Sequence, residues 1–125
     1  LIKPFNFSLD EKDVKRAGLD YWKDVDVTVY ENFYDFYKLH KHNNIYICST
    51  KANKFYTDPS FKYGDCFLFG KESKGLPEEI MNMVEDEYKI RVPMINTTTR
   101  SLNVANTVNI ILYEALRQVG FLNMK

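Results

Sequence analysis

The period of apolar and polar positions changes several times along this chain. Phe33, Phe36, Tyr37 and His40 fall at i, i+3, i+4 and i+7, the spacing of one helical face, and Asn43-Asn44 is expected to stop that helix. Val25 to Val29 alternates apolar with polar residues and predicts a strand. Short continuous apolar runs, Ile45 to Ser49 and Cys66 to Phe69, read as buried strands, the second closed by Gly70. Ile90-Arg91-Val92 reads as a third, stopped by Pro93. Helix starts are marked by Ser8-Leu9-Asp10-Glu11, which matches a capping box and predicts a short helix ending before Gly18. Pro77 with Glu78 and Glu79 behind it predicts another, running to about Val84. The last helix is expected from about Ser101 to Val119, with Val104, Val108, Ile111, Leu112, Ala115 and Val119 on one face and Gly120 ending it. From Lys51 to Gly64, turn formers and scattered aromatics predict a loop longer than most connections in compact domains.

Strands alternating with helices predict an α/β fold, a mostly parallel sheet with helices on both faces. In such sheets ligands gather at the carboxyl ends of strands, here after Ser49, after Phe69 and after Val92. The 125 residues fit one domain, 1–125, large enough for a core without disulfides or a structural metal. Lys plus Arg and Asp plus Glu stand at 17 each, so nucleic-acid binding would need a local basic patch and not a net field. Cys48 and Cys66 sit inside apolar runs and read as buried thiols of a cytoplasmic protein. No apolar segment reaches a membrane span and no signal-peptide pattern opens the chain, so no membrane partner is expected. Leu1-Ile2-Lys3-Pro4 reads as the end of a strand entering a loop, and the chain is expected to be truncated at its N-terminus.

Two stretches hold the candidate chemistry. Gly70-Lys71-Glu72-Ser73-Lys74-Gly75-Leu76-Pro77 spaces two glycines like a phosphate loop, but Leu76 and Pro77 stand where Lys and Ser or Thr are needed. The dinucleotide fingerprint fails as well, having no glycine two residues after Gly70. What is left is a glycine-hinged turn carrying Glu72, which a purely structural role explains too. Thr97-Thr98-Thr99-Arg100-Ser101-Leu102-Asn103 gathers hydroxyls, a guanidinium and an amide where the last helix begins. Ser101 could simply cap that helix, whereas Arg100 and Asn103 with the free N–H groups could hold a polar or anionic group. His40 and His42 point to different helical faces without a Cys or acid cluster, so no metal site is expected. Lys12, Lys15, Arg16 and Lys23, and Lys51 with Lys54 beside Phe55 and Tyr56, are solvated charges by default. Basic residues interleaved with aromatics are also what an RNA-contacting surface needs.

LFGKESKGLPEEI followed by IRVPMINTTTRSLNVANTVNIILYEALRQ resembles the second and third motifs of the knotted SPOUT RNA methyltransferases. KRAGLDYW narrows the resemblance to the small single-domain branch that methylates the 2'-hydroxyl of the tRNA wobble nucleotide, and the similarity covers essentially the whole chain. It implies a deep C-terminal trefoil knot, with the segment from about Phe67 through the last helix tucked through a loop, and S-adenosylmethionine bound in it. Carried onto this sequence, the cofactor loops fall on the Cys48 to Lys51 turn with Ser49 and Thr50, on Phe69-Gly70-Lys71-Glu72, and on Ile90 to Met94, including Val92, with Ser101, Leu102 and Asn103. Ser49, Thr50, Phe69, Gly70, Glu72, Ile90, Val92, Met94, Ser101 and Leu102 are the implied cofactor contacts. Ser101 and Asn103 are the implied catalytic positions, while Lys12, Lys15, Arg16, Lys51, Lys54 and Arg100 become candidates for tRNA contact. The family's N-terminal Asn-Thr-Gly-Asn-x-x-Arg motif is absent, so its arginine has no counterpart here, and the domain is expected to lack a first strand and helix and to be weakly active or inactive. A homodimer is implied, for which Tyr113, Leu116 and Phe121 offer an apolar surface, although core packing explains them equally. A non-catalytic knotted RNA-binding or assembly module is the competing expectation.

Overall fold

A computed structural model describes residues 1–3, 26–71, 75–95 and 103–125. They fall into two compact units, residues 1–40 and 41–125. The capping box and the helix expected behind it lie outside the described residues, as does Val25.

In the first unit, Tyr30 N–H donates to the Leu1 carbonyl at 2.8 Å and Lys3 N–H to the Tyr30 carbonyl at 2.9 Å. This gives a single parallel bridge, Ile2 to Tyr30, and not the strand that the alternation over 25–29 predicts. Alternation makes an extended segment, but a strand also needs a partner with a run of free donors and acceptors. Helix α1 (Phe33–His40) forms where the period places it. Asn32 Oδ1 starts it by accepting from Asp35 N–H at 3.0 Å. Phe33 is its buried residue, and the His40 ring packs against Phe36 in a tilted arrangement with centroids 4.8 Å apart. His40 Nε2 also lies 3.3 Å from the Tyr30 hydroxyl, in a hydrogen bond. His40 is therefore a member of an aromatic cluster.

The second unit is a parallel four-stranded sheet of β1 (Ile45–Cys48), β2 (Lys54–Phe55), β3 (Cys66–Phe69) and β4 (Lys89–Arg91), in the order β2-β4-β1-β3. β1 and β3 occupy the apolar runs, and β4 sits one residue earlier than its pattern predicts. β2 corrects the expectation of an unbroken loop: two exposed residues pair with Ile90 and Arg91, and so short a strand leaves no periodic signal. The core is Tyr46, Phe61, Ile90 and Ile111, flanked by Cys48, Phe67, Phe69, Val92 and Ala115. Tyr46 and Phe61 meet edge to face at 5.0 Å, a favoured aromatic geometry.

Helix α2 (Glu78–Met81) is shorter than expected and turns away at Asn82. None of its residues is fully buried, so little tertiary packing is available to prolong it. Helix α3 (Val104–Gln118) starts later than the expected Ser101. Its cap is Asn103, whose Oδ1 accepts from Ala105 N–H at 2.8 Å and Asn106 N–H at 3.4 Å. Of the expected inner face Ile111 alone is fully buried, while Leu112, one step round the helix, is exposed. Gly120 ends the helix with φ +81°, a left-handed conformation that glycine adopts without steric cost.

Candidate active site

Because all four strands run parallel, their carboxyl ends lie along one edge of the sheet. The chain leaves β1 to form β2 on one side, crosses to β3 on the other, and later returns to place β4 between β2 and β1, so the connections diverge at β1. Such a divergence opens a crevice that loops can line. Here it is a cavity of about 190 Å³. Cys48, Ser49, Thr50 and Lys51 line it from β1, Phe69, Gly70 and Lys71 from β3, and Arg91, Val92 and Met94 from β4. Gly75, Leu76 and Met81 contribute from the α2 side, and Val104, Thr107 and Ile111 from α3.

Each wall has a local cause. Ser49 N–H donates to the Ile90 carbonyl at 3.0 Å, continuing the β1–β4 ladder by one residue. The chain then turns: Ser49 Oγ accepts from Lys51 N–H at 3.1 Å and the Ser49 carbonyl accepts from Ala52 N–H at 3.1 Å. A serine hydroxyl closing on the amide two residues ahead is a recurrent turn device. Gly70 starts the second wall, which folds back through an antiparallel Lys71–Gly75 bridge in which Gly75 N–H donates to the Lys71 carbonyl at 2.8 Å. A Cβ on Gly70 would stand 2.3 Å from the Gly75 carbonyl carbon, so no larger residue fits there.

Chemically the cavity is mixed. Phe69, Leu76, Val92 and Ile111 give it apolar area, Ser49, Thr50 and Thr107 carry hydroxyls, and Lys51, Lys71 and Arg91 carry positive charge. Among the described residues no carboxylate lines it. The Arg91 guanidinium donates from Nη1 to the Thr50 carbonyl at 2.8 Å, and its Nε is buried without a partner. Burial pushes the Cys48 thiol up to about 12, which keeps it protonated and non-nucleophilic at neutral pH. Cys66 is also raised, by burial first and the nearby Asp65 second, and neither cysteine is in a disulfide.

The loops that the sequence singles out are thus brought together. Ser49, Thr50, Phe69, Gly70, Val92 and Met94 share one cavity, and Lys51 stands at its wall. Ile90 does not line it: the residue is wholly buried in the core, and its carbonyl is taken up by Ser49 N–H. Asn103 does not line it either, its Oδ1 capping α3, and Lys54 is exposed on β2. Glu72, Ser101, Leu102, Arg100, Lys12, Lys15 and Arg16 lie outside the described residues. Sequence reasoning missed Thr107, and it gave Lys71 and Arg91, which lie inside the loops it named, no role of their own. The signal that could have found Arg91 is its place on the last strand before a proline stop, at a carboxyl end.

Comparison with known proteins agrees with this geometry. Residues 1–113 match the SpoU rRNA Methylase family. The tRNA (cytidine(34)-2'-O)-methyltransferase of Aeromonas hydrophila is 40% identical over 121 residues, covering 97% of this chain and 77% of that protein. The Escherichia coli K12 protein of the same name is 36% identical over 121 residues, covering 97% of this chain and 76% of its own length. A solved structure described as giving insight into 2-OH methylation of C/U34 on tRNA superposes with a TM-score of 0.85 at 36% identity, over 96% of this chain and 77% of that one. With the match running through most of its length and the loops meeting at the carboxyl edge of a parallel sheet, the chain belongs to the SpoU rRNA methylase family.

Proposed function

We propose that this chain transfers a methyl group from S-adenosylmethionine to the ribose 2'-hydroxyl of the wobble nucleotide, C or U, of a tRNA in the cytoplasm. The observation that carries the reading is the meeting of the Ser49, Phe69 and Val92 loops in one cavity of a chain 40% identical to a tRNA (cytidine(34)-2'-O)-methyltransferase. The donor set suits an adenosine-containing cofactor. Apolar side chains offer faces for a base, and the turns at Ser49–Ala52 and Gly70–Gly75 bring backbone groups to its edges. When bound, S-adenosylmethionine supplies a methyl group on a sulfonium, an electrophile needing no metal.

The chain's own residues then have positioning to do. Ser49, Thr50, Phe69, Gly70, Val92 and Met94, with Glu72 and Leu102, hold the cofactor end, and the β4 segment from Ile90 fixes where Val92 stands. Ser101 and Asn103 meet the acceptor ribose, orienting its hydroxyl in line with the methyl group, because such a transfer is governed by approach geometry and proton loss. Lys12, Lys15, Arg16, Lys51, Lys54 and Arg100 meet the RNA backbone, and such contacts weaken steeply with salt. The reading includes a C-terminal trefoil knot and a homodimer. Tyr113 and Phe121, 53% and 42% exposed, supply an apolar surface for the second copy.

The test is to incubate the chain with tRNA and labelled S-adenosylmethionine and digest the product to nucleosides. Label in 2'-O-methylcytidine or 2'-O-methyluridine from the wobble position is expected. Saturable binding of S-adenosylhomocysteine without any transfer would instead establish the non-catalytic module, and no binding would overturn the cofactor reading.

A further inference from the structure

The turn after β1 has four backbone or side-chain groups tied down by its neighbours, and one of those ties comes from a distant charged residue. Ser49 N–H, Ser49 Oγ and the Ser49 carbonyl are satisfied by Ile90, Lys51 and Ala52. The Thr50 carbonyl is satisfied by the Arg91 guanidinium, 41 positions away in sequence, at 2.8 Å. Arg91 holds the same excursion at its far end too, its carbonyl accepting from Tyr56 N–H at 2.8 Å as β2 docks on β4.

We propose that Arg91 is the positioning residue of the methyl-donor cavity: by holding the Thr50 carbonyl it fixes the Ser49–Ala52 turn in the shape that receives the ligand. The inference rests on the reading of that cavity given under the proposed function. Three observations support it. Arg91 lines the same cavity as Ser49 and Thr50. Among the described residues no carboxylate pairs with it, so the Thr50 carbonyl is the acceptor that fixes its side chain. Its Nε is buried and unpartnered, a loss that is tolerated where the remaining geometry is held for another purpose. A charge-assisted hydrogen bond to a carbonyl is stronger than a neutral one, so a turn held this way is stiffer than a turn closed by its own amides. Arg91 acts on the ligand through Thr50, not as a catalytic group.

The experiment compares the wild-type chain with Arg91→Met and Arg91→Lys. Binding of S-adenosylhomocysteine and of 5'-methylthioadenosine, which lacks the amino-acid portion, is measured by calorimetry, and amide hydrogen exchange is followed at Lys51 and Ala52. Arg91→Met is expected to weaken both ligands by the same factor, about tenfold, and to speed exchange at both amides. Arg91→Lys, which keeps a donor for the Thr50 carbonyl, is expected to recover most of the loss. In a turnover assay Arg91→Met raises KM for the methyl donor and leaves kcat at saturation close to wild type. Loss confined to S-adenosylhomocysteine overturns the proposal, because it makes Arg91 a direct contact to the amino-acid portion. Unchanged exchange at Lys51 and Ala52 in folded Arg91→Met also overturns it. If Arg91→Met does not fold, Arg91→Leu, which also lacks a donor for the Thr50 carbonyl, decides through the same exchange measurement. Failure of the wild-type chain to bind either ligand overturns the cofactor reading itself, and exchange still decides whether Arg91 holds the turn.

Discussion

Gly70 and Gly75 approach so closely that a methyl group on the first would lie 2.3 Å from the carbonyl carbon and 2.7 Å from the Cα of the second. The contact is backbone on backbone, so no side-chain rotation relieves it. Gly70→Ala is expected to destabilise the fold by about 3 kcal/mol or to open the Lys71–Gly75 bridge, and in either case to weaken S-adenosylhomocysteine. Thermal unfolding with calorimetry checks this, and wild-type values in both would refute it.

Asn103 separates two roles that the sequence leaves merged. Its Oδ1 caps α3, so Asn103→Ala should cost about 1 kcal/mol of stability. Asn103→Asp keeps an acceptor at the cap and should be near wild type in stability. If Asn103 also serves the acceptor ribose, both variants should lose methyl transfer with the fold intact. Transfer that merely follows stability would make the residue a cap alone.

Cys48 lines the cavity with a thiol held near 12, and is expected to resist iodoacetamide at pH 8 in the folded chain. Cys66 is raised as well, yet less buried, and should react first. Adding S-adenosylhomocysteine should slow Cys48 further and leave Cys66 unchanged. Mass spectrometry of the alkylated peptides reads out the order, and equal protection of both thiols by ligand would refute the placement.

Glu114 accepts from Arg117 Nε at 2.7 Å and from Gln118 Nε2 at 2.9 Å, and these bonds hold its carboxyl below the usual range. Its contribution is present above the ordinary carboxylate pKa, about 4.3, and is lost as pH falls through the lower native value. Gln118 in turn binds the Pro59 carbonyl at 3.1 Å and Phe61 N–H at 2.7 Å, so acid should loosen the 59–61 segment. Thermal melts between pH 7 and pH 3 should fall more steeply for wild type than for Glu114→Gln. Parallel curves would assign the acid loss elsewhere.

The sequence reaches the parts of this fold whose signal is local. Phe33 to His40 announces α1 by period, and the apolar runs announce β1 and β3. β2 escaped because Lys54 and Phe55 become a strand only when Ile90 and Arg91 arrive beside them. Over 26–29 the pattern is present, but among the described residues the pairing beside it is the single Ile2–Tyr30 bridge. The places where the cavity loops begin, at Ser49, Phe69 and Val92, were legible because each lies at a strand's carboxyl end. Arg91 fell inside one of those loops, but its role was not legible, because its partner, the Thr50 carbonyl, lies 41 positions away in sequence. The start of α3 was shifted because Ser101 and Asn103 are both good caps, and Asn103 is the one adjacent to Val104, where the apolar periodicity begins.

The strand order β2-β4-β1-β3 also sets a timetable. The last strand to be synthesised is an interior one, and it must enter between two that were made long before. During translation β1 and β3 can pair as soon as both have left the ribosome, while β2 has no neighbour to join until residues 89–91 emerge. Parallel pairing over such separations forms slowly. Every wall of the cavity that depends on β4, including the Arg91 tie to Thr50, is therefore assembled at the end, so a nascent chain stalled before residue 89 can have a paired β1–β3 half-sheet and still be unable to bind its ligand.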